Sequence, residues 1–540
     1  MDGAIMRLRA VDVRNHSRIP DLSIEVRDHM VLVGPNECGK STLLSLIDSV
    51  LTGNHTVLYR DITAESLGDP LHPMTVQLRF GELTPAEKAE FAHELELRAA
   101  GEARLQVNLV AEYDASVDEL DIDRTLGRVG VDVRASSQRL AAVRFAHLGA
   151  DRRLDVALGG GGRSAIKQLL GGVSLGGDGD AISVAMDQVH DVVQAAEGIK
   201  QLKANVAQAL DRVLPESVSE DNVDVDLPSD RRGDPLGDFE LKLRGDASSR
   251  ALRDNSDGHR SLSTIGLRLA SRDALSILSI DEPEVHLHPA AQRRLAKSLR
   301  ETAPQALVAT HSTTVLAEFD PTEVVVMAGD GRLRQYNGPA YPPRHAAQRW
   351  LPAILEPLTS RGLIAVEGPS DVIAVREVAR ALGVDLDRES VSVFPVHGYP
   401  NFEQLFQLLG PYGFDVPMVT IADADEADAV AGYLEVEPDE LETAHVYVCR
   451  EDLEDEYPRA VGAEGLARIL DESGVVKLDT LVGWAKVASP SDLLDEHVAR
   501  TARKRKIDTA LALVGQLDEN QALAMDPLVA AIDDLLGRLV

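Results

Sequence analysis

The chain has 540 residues, of which 44% are hydrophobic and 26% are charged, and its formal net charge at pH 7 is −33. This length predicts more than one domain and a sizeable core. The charge argues against a protein that coats nucleic acid with its whole surface, although a local basic groove stays open.

The cysteine count and the hydrophobic pattern bear on location. The two cysteines, Cys38 and Cys449, lie far apart in the sequence, which predicts no disulfide framework and suits a reducing cytoplasm. We find no run of about 18 apolar residues and therefore expect no membrane span. Residues 1–10 carry arginines but no apolar core, so we expect no signal peptide and a cytoplasmic location.

The first predicted elements are strands that lead to a phosphate-binding loop. Alternating apolar and polar residues predict strands at Leu8–Val13 and Leu22–Val26. The apolar run Met30–Val33 then enters G-P-N-E-C-G-K-S-T, residues 34–42, and a helical pattern follows. A G-x-x-x-x-G-K-S sequence between a strand and a helix predicts a P-loop, and the alternative is a glycine-rich turn without a ligand.

The chemistry of a P-loop assigns roles to these residues. Two glycines let the backbone N–H groups face phosphate oxygens, and the helix N-terminus adds a favourable dipole. Lys40 is expected to reach the β- and γ-phosphates, and Ser41 to hold Mg²⁺. The predicted nucleotide-binding residues of this loop are Gly34, Asn36, Gly39, Lys40, Ser41 and Thr42.

The next elements are a strand at Met74–Phe80, a capped helix at Leu83–Leu97 and a strand at Leu105–Tyr113. Gln77 is a candidate for the glutamine that senses Mg²⁺ and nucleotide. The alternative is that Gln77 is an outward-facing strand residue.

Residues 150–235 are predicted to form an insertion. Glycines make Leu158–Asp180 a flexible loop, helical periodicity covers Ile182–Leu214, and Asp, Pro and Gly predict another loop at Asp221–Gly237. This region is a candidate helical arm for dimerisation, and the alternative is a loose surface insertion.

Two later strands end in residues suited to nucleotide chemistry. The apolar strand Leu275–Ile280 ends at Asp281, which would hold Mg²⁺ through water, and Glu282, which would polarise the attacking water. The strand Ala306–Ala309 leads to His311, a candidate contact to the γ-phosphate. The alternative for His311 is a structural histidine.

Together these motifs resemble the ABC-type ATPases of the SMC-like branch. The resemblance rests on the P-loop, N-S-D-G at 255–258, D-E-P-E-V-H-L-H-P at 281–289 and T-H-S at 310–312. It implies that two heads sandwich two ATPs and that Ser256 and Gly258 of one head cap the γ-phosphate bound by the other. The match departs from the usual L-S-G-G-Q, because Asp257 replaces a glycine and His259 replaces the glutamine.

A second constellation follows a predicted hinge that begins at Pro342 and runs to Pro357. The strand Leu363–Val366 ends in E-G-P-S-D, residues 367–371, and a helix is predicted at Val372–Leu382. Further strands are predicted at Val391–Val396, Met418–Ala422 and Val446–Cys449. Interleaved strands and helices predict a parallel sheet with its site at the carboxyl ends of the strands.

The carboxylates at these strand ends predict a metal site. The strand Met418–Ala422 is followed by D-A-D, and a strand period of two would put Asp423 and Asp425 on one side. Oxygen ligands suit Mg²⁺ or Mn²⁺, and two ions about 4 Å apart would activate a water and stabilise the leaving 3′-oxygen of a phosphodiester. For a single D-x-D the alternative is a solvated turn.

V-E-G-P-S-D at 366–371 and A-D-A-D at 422–425 resemble a Toprim domain. An ABC-type head followed by Toprim in one chain resembles the OLD (overcoming lysogenization defect) family of ATP-dependent nucleases. The resemblance implies a metal-dependent nuclease that acts on DNA, often in defence against phage. It also implies a dimer or larger oligomer and, in some members, a helicase-like partner protein.

The resemblance also implies roles for individual residues. The predicted metal ligands are Glu367, Asp371, Asp423 and Asp425, with Glu454 of D-L-E (452–454) as a further acidic ligand. The family has a catalytic lysine near the C-terminus, and within R-K-R-K at 503–506 we prefer Lys506. The alternative is a solvated helix end or a contact to the phosphate backbone.

The sequence therefore predicts an α/β fold with three regions: an ABC-type ATPase domain at 1–345, a Toprim domain at 360–460 and a helical region at 461–540. The predicted function is an ATP-binding DNA endonuclease that uses two Mg²⁺ or Mn²⁺ ions in Toprim and one with ATP, in anti-phage defence or DNA repair. The alternative is an SMC-like DNA-binding clamp with a non-cleaving Toprim module. A strand-passage enzyme is disfavoured because no candidate for its active-site tyrosine is evident, and a primase is disfavoured because two cysteines cannot supply a Cys₄ zinc site.

Overall fold

A computed structural model of the chain describes residues 6–97, 102–127, 133–149, 195–214, 217–226, 240–244, 249–251, 256–270, 275–329, 331–338, 353–398 and 401–539. Two compact units divide the chain, Met1–Val325 and Val326–Val540. Within the described residues, no helix has the length and apolar character that crossing a membrane would require.

An antiparallel sheet of seven strands opens the first unit. Its burial alternates along the strand Met74–Gly81, as expected for a sheet with one face on the core. The strand order is Leu22–Glu25, Arg7–Arg14, Met74–Gly81, Ala103–Asp114, Glu119–Leu126 and Val133–Arg134, with Glu96–Leu97 paired to Ala103–Asp114.

A second sheet carries the nucleotide motifs. Its central strands are buried along their whole length, which is typical of parallel strands covered on both faces. The order is Leu333–Gln335, Val324–Met327, Met30–Val33, Ala306–Ala309, Ile277–Asp281 and Phe145–Leu148. A small antiparallel sheet contains Val223–Asp226, Glu240–Arg244 and Ser249–Ala251.

The helices of the first unit pack around these sheets. The helix that follows the P-loop buries one apolar face, including Leu43 and Ile47. The described α-helices are Lys40–Thr52, His55–Asp61, Pro85–Glu90, Ser137–Leu140, Glu197–Val213, Asp257–Ala270, Pro289–Thr302 and Thr313–Leu316.

The predicted helix at Leu83–Leu97 is too long. Thr84 and Glu87 form the expected capping box, but the helix Pro85–Glu90 ends at the fully buried Phe91. The backbone then turns, because Glu96–Leu97 pairs with the strand Ala103–Asp114.

The predicted insertion is described only in part. The helix Glu197–Val213 confirms the helical pattern there, whereas residues 158–180 and 182–194 lie outside the described residues. An ideal Cβ on Gly266 would lie 3.0 Å from a methyl of Leu210, so this helix packs against Asp257–Ala270 of the same unit. The predicted loop from Asp221 is wrong at Val223–Asp226, where V-D-V-D alternation forms a strand.

The second unit is built on a four-stranded parallel sheet. The strand order is Val391–Pro395, Gly362–Val366, Met418–Ala422 and Val446–Val448. Gly362–Val366, the first strand of this sheet in the sequence, lies between the second strand, Val391–Pro395, and the third, Met418–Ala422. The second and third strands are therefore added on opposite sides of the first. A crevice is therefore expected between the carboxyl ends of Gly362–Val366 and Met418–Ala422.

Helices cover this sheet and continue into the C-terminal region. A shared core joins Ile364 of the sheet with Leu466 and Ile532 of the later helices, all fully buried. The described α-helices are Leu355–Thr359, Pro369–Ala381, Phe402–Leu409, Ala427–Leu434, Leu453–Val461, Ala463–Glu472, Leu478–Ala485, Asp495–Lys504, Lys506–Leu513, Glu519–Leu523 and Asp526–Leu539. Of the predicted hinge, residues 342–352 lie outside the described residues.

Candidate functional site

The P-loop occupies the turn between the strand Met30–Val33 and the helix Lys40–Thr52. Gly39 has a φ of 95°, a left-handed conformation that suits glycine, and its position just before Lys40 starts the helix. The Lys40 ammonium donates to the carbonyl oxygens of Gly34 at 2.9 Å and Pro35 at 2.7 Å. The predicted loop residues thus share one tight turn, from which Asn36 and Ser41 are exposed.

Asp281 ends the strand Ile277–Asp281 and Glu282 follows it, next to the strand Ala306–Ala309. Asp281 is 5% exposed, and the N–H of Glu282 donates to the carbonyl of Ala309 at 2.9 Å. Because Ala306–Ala309 pairs in parallel with both Met30–Val33 and Ile277–Asp281, the predicted catalytic and phosphate-binding residues leave one edge of one sheet.

His311 follows the strand Ala306–Ala309, as predicted. Its backbone N–H donates to Oε1 of Glu284 at 2.7 Å. Partial burial and the charge of Lys40 lower the pKa of His311, against the opposing charges of Glu282, Glu284 and Asp281. The histidine, the P-loop lysine and the acidic pair therefore lie within one another's electrostatic reach.

The Ser-x-Gly turn lies at the start of the helix Asp257–Ala270. Ser256 is exposed, and its hydroxyl is 3.1 Å from Nδ1 of His259. An ideal Cβ on Gly258 would come within 2.7 Å of the carbonyl oxygen of His286, so only glycine fits there without a backbone shift. The Ser-x-Gly turn is therefore packed against the loop that follows Asp281 and Glu282.

Gln77 lies within the strand Met74–Gly81 of the antiparallel sheet. Its Nε2 donates to Oδ1 of Asn108 at 3.2 Å, and Asn108 in turn donates to the carbonyl of Gly127. The nucleotide-sensing role of Gln77 stays a prediction.

In the second unit, Glu367 directly follows the strand Gly362–Val366. Its carbonyl accepts from the N–H of His397 at 2.9 Å, at the end of the adjacent strand. Asp371, in the first turn of the helix Pro369–Ala381, accepts from the N–H of Gly368 and the hydroxyl of Ser370, each at 2.9 Å. Burial nonetheless raises the pKa of Asp371.

Asp423 follows the neighbouring strand Met418–Ala422 and faces these carboxylates. Burial raises the pKa of Asp423 to about 8, and the charges of Glu367 and Asp371 act in the same direction against that of Lys506. Carboxylates crowded in this way favour a proton or a cation among them. The structure thus brings Glu367, Asp371 and Asp423 to one edge of the sheet, at the crevice expected from its topology.

Asp425 does not follow the predicted strand alternation. The strand ends at Ala422, and Asp425 lies exposed in a 3₁₀-helix, Ala424–Glu426, so a period of two does not apply to it. Glu426, which the sequence reasoning passed over, is partly buried, and burial with the charges of Asp425 and Glu367 raises its pKa. The sequence signal that could have identified Glu426 is its position directly after D-A-D.

Glu454 is in the first turn of the helix Leu453–Val461, and its side chain is fully buried. The Lys506 ammonium, at the start of the helix Lys506–Leu513, lies 3.1 Å from Oε2 of Glu454. Burial raises the pKa of Glu454 to about 7 although Lys506 opposes this. Burial lowers the pKa of Lys506, but Glu454, Glu367 and Asp423 outweigh it, so the pKa is raised.

Sequence reasoning missed two neighbours of this pair. Tyr457 is fully buried one turn after Glu454, and only its place in the helix could have indicated it. Arg503 forms ion pairs with Asp452 and Asp455 and a further one of 3.1 Å with Glu451. Arg503 therefore binds acidic residues that follow the fourth strand, whereas Lys506 of the same R-K-R-K cluster pairs with Glu454.

The residues present fit divalent cations through the chemistry of their donors. All candidate ligands are carboxylate oxygens, and burial, followed by the charges of neighbouring carboxylates, raises the pKa of Asp371, Asp423 and Glu454. Among the described residues, no three His, Cys, Asp or Glu side chains form a ready-made metal-binding group. Small side-chain movements would thus have to accompany metal binding.

Comparisons with known proteins match both units. Residues 172–317 match the family described as "AAA domain, putative AbiEii toxin, Type IV TA system". Residues 358–425 match "Overcoming lysogenization defect protein-like, TOPRIM domain". An "OLD nuclease" from Thermus scotoductus is 23% identical over 446 residues, 77% of this chain and 82% of the relative.

Solved structures also resemble parts of the chain. A Smc head domain with an extended coiled coil, derived from Pyrococcus furiosus and bound to a ScpA domain, is 14% identical with a TM-score of 0.39. The similarity covers 61% of this chain and 95% of that one. The C-terminal region of the Burkholderia pseudomallei OLD protein is 25% identical with a TM-score of 0.29, over 34% of this chain and 99% of that one.

The class of protein is therefore an enzyme with an ATP-binding head of the AAA/ABC type and an OLD-like Toprim domain. Its AAA-type and OLD-like Toprim domains, together with the similarity to an OLD nuclease, support an endonuclease with an ATP-binding head.

Proposed function

We propose that this chain is a divalent-metal-dependent DNA endonuclease whose cleavage site is the carboxylate edge of the Toprim sheet. The observation that carries the proposal is the convergence of Glu367, Asp371 and Asp423, with the Lys506–Glu454 pair, at the carboxyl ends of parallel strands. Four carboxylates and one ammonium at a partly buried edge are groups that metal-dependent phosphodiester hydrolysis can use.

The proposed ligands are Glu367, Asp371, Asp423, Asp425 and Glu454. Two Mg²⁺ or Mn²⁺ ions, when bound, would supply a hydroxide nucleophile and charge stabilisation for the leaving 3′-oxygen. With metal bound, the ligand carboxylates would stay ionised, whereas burial and neighbouring charges favour their protonated forms. Asp425, which is exposed, would join the set only through a change in the Ala424–Glu426 turn.

Lys506 is the proposed catalytic cation. Its ammonium stays protonated because Glu454, Glu367 and Asp423 raise its pKa. A protonated amine at this edge would stabilise the negative charge that develops on the scissile phosphate. The ion pairs of Arg503 support this role, because Arg503 of the same basic cluster pairs with three other carboxylates.

The head is proposed to bind ATP with one Mg²⁺ and to control cleavage. Lys40 and the backbone of residues 34–42 would hold the phosphates, Asp281 the Mg²⁺, and Glu282 and His311 the attacking water and γ-phosphate. Ser256 and Gly258 would act on the ATP of a second head in a homodimer or larger oligomer, with Gln77 as nucleotide sensor. The helical region around Glu197–Val213 is the proposed arm for this assembly.

Resemblance to the OLD family is the sole support for three further proposals: a role in anti-phage defence or DNA repair, a helicase-like partner protein and a cytoplasmic location.

The test is a plasmid-cleavage assay with the purified full chain. Each reaction contains Mg²⁺, Mn²⁺ or EDTA, and each is run without nucleotide, with ATP and with a non-hydrolysable analogue. We expect cleavage only with a metal ion, at a rate that the nucleotide changes in wild type but not in Lys40→Ala. Cleavage in EDTA, or ATP-stimulated DNA binding with no cleavage in any reaction, would reject the nuclease in favour of the SMC-like clamp.

A further inference from the structure

The surroundings of Glu454 contain an unusual set of buried polar atoms. Both carboxylate oxygens of Glu454 and the hydroxyl of Tyr457 have no hydrogen-bond partner among the described residues, although the Lys506 ammonium forms an ion pair with Oε2 at 3.1 Å. Glu454 and Tyr457 both have no measurable exposure. Because buried polar groups in proteins are nearly always hydrogen-bonded, three such atoms on two neighbouring side chains need a reason.

The helix places the side chains of Glu454 and Tyr457 on one face. Glu454 and Tyr457 are three residues apart in the helix Leu453–Val461, a spacing that puts side chains next to each other on the helix surface. Pro458, the next residue, has no N–H to donate to the carbonyl of Glu454, which loosens the helix at this turn. A small rotation here can therefore bring the hydroxyl to the carboxylate.

The hydroxyl of Tyr457 is a donor, because an ordinary phenol is protonated at neutral pH. Its electrostatic neighbours include Glu454 and Asp371, two carboxylates of the candidate site. A protonated hydroxyl facing a carboxylate oxygen that lacks a donor has one obvious partner.

We propose that Tyr457 is a positioning residue of the Toprim site, which donates its O–H to Oε1 of Glu454 while Lys506 holds Oε2. The two contacts together fix the plane of the carboxylate. Glu454 then presents its remaining lone pairs to a divalent cation at the edge shared with Asp371 and Asp423. This inference rests on the proposed function, because it assigns Tyr457 to the metal site proposed above.

The test compares Tyr457→Phe with Tyr433→Phe in the full chain. The first variant removes only the buried hydroxyl, and the second removes the hydroxyl of a partly exposed tyrosine that stacks on Phe402 of the same unit. Mn²⁺ binding without nucleotide is measured by calorimetry, and the melting temperature is measured without metal. Plasmid cleavage is then followed as Mn²⁺ is increased.

We expect Tyr457→Phe to weaken Mn²⁺ binding about five-fold, the equivalent of one lost hydrogen bond. Its melting temperature without added metal should be unchanged or slightly raised, because the hydroxyl has no hydrogen-bond partner among the described residues. Cleavage should be slower at low Mn²⁺ and recover at high Mn²⁺, with KM for DNA unchanged. Tyr433→Phe should match wild type in every measurement.

Two results would overturn the inference. If Tyr457→Phe binds Mn²⁺ as wild type does, whether or not its melting temperature falls, then the residue is only part of the core. If wild type binds no Mn²⁺, the proposed metal site fails along with the role of Tyr457, and the two failures are distinguished by the wild-type measurement alone.

Discussion

The Lys506 ammonium lies 3.1 Å from Oε2 of Glu454, a carboxylate with no exposed surface. The two residues are far apart in the sequence, yet they form the only described ion pair between the C-terminal helices Lys506–Leu513 and Leu453–Val461. A half-exposed cation against a fully buried anion leaves the ammonium able to contact a substrate phosphate.

Lys506→Gln should slow DNA cleavage by on the order of 100-fold, because the site loses the charge that opposes the developing phosphate charge. The melting temperature should fall little, since Glu454, with a pKa of about 7, can take up a proton when its partner is lost. Lys504→Gln is the matched control, because Lys504 is exposed two residues earlier. Equal cleavage by the two variants would assign Lys506 to the solvated helix end instead.

Gly258→Ala tests the packing of the Ser-x-Gly turn, residues 256–258, on the loop after Glu282. The new Cβ would lie 2.7 Å from the His286 carbonyl oxygen, so the backbone must shift, at a cost of about 1–3 kcal/mol. We expect a lower melting temperature and slower ATP hydrolysis. Gly198→Ala, where a Cβ meets nothing within 4 Å, should be neutral or slightly stabilising. The idea fails if Gly258→Ala behaves like Gly198→Ala.

Glu284 is predicted to position His311, the candidate contact to the γ-phosphate. Its Oε1 accepts from the backbone N–H of His311 at 2.7 Å. Glu284→Ala should lower the rate of ATP hydrolysis several-fold, because His311 loses this anchor, whereas Glu284→Gln keeps an acceptor and should stay near wild type. Steady-state hydrolysis at saturating ATP checks this, and an equal loss in both variants would point to the charge of Glu284 and not to its hydrogen bond.

His29 predicts a pH dependence of stability. Its Nδ1 accepts from the N–H of Ala306 at 3.0 Å, and burial followed by the charge of Arg7 lowers the pKa of His29 to about 4. The folded state therefore binds fewer protons than the unfolded state between pH 6.5 and 4, and stability is lost as the pH falls through that window.

Between pH 7 and pH 5, His29 should account for a loss of about 2 kcal/mol in the free energy of unfolding. His29→Asn keeps an acceptor for Ala306 and cannot be protonated, so its stability should vary less with pH than that of wild type. Urea unfolding of the full chain at several pH values measures the difference. Identical slopes for the two proteins would contradict this assignment.

Local patterns predicted the parallel sheets well. The P-loop strand, Ala306–Ala309 and Met418–Ala422 have the predicted bounds, because continuous apolar runs followed by glycine or carboxylates are strong signals for buried parallel strands. The same logic put Glu367 and Asp423 at one edge of the Toprim sheet, whereas Lys506 is preferred only because of the resemblance to the OLD family.

Where tertiary contacts decide the backbone, the sequence patterns failed. Asp425 leaves the strand alternation because the chain turns at Asp423, and the helix from Pro85 stops at Phe91 because that side chain enters the core. Tyr457 and the pairing of Arg503 with the acidic loop depend on how distant helices pack, which no local pattern encodes.

The most direct measurement is single-turnover plasmid cleavage in Mn²⁺ by wild type, Asp423→Asn and Asp439→Asn, with ATP binding measured on the same preparations. Asp439 is an exposed aspartate of the same unit, outside the carboxylate edge. We expect Asp423→Asn to bind ATP as wild type does but not to cut DNA, whereas Asp439→Asn should cut DNA normally. Cleavage by Asp423→Asn at the wild-type rate would contradict the assignment of the nuclease site to the Toprim edge.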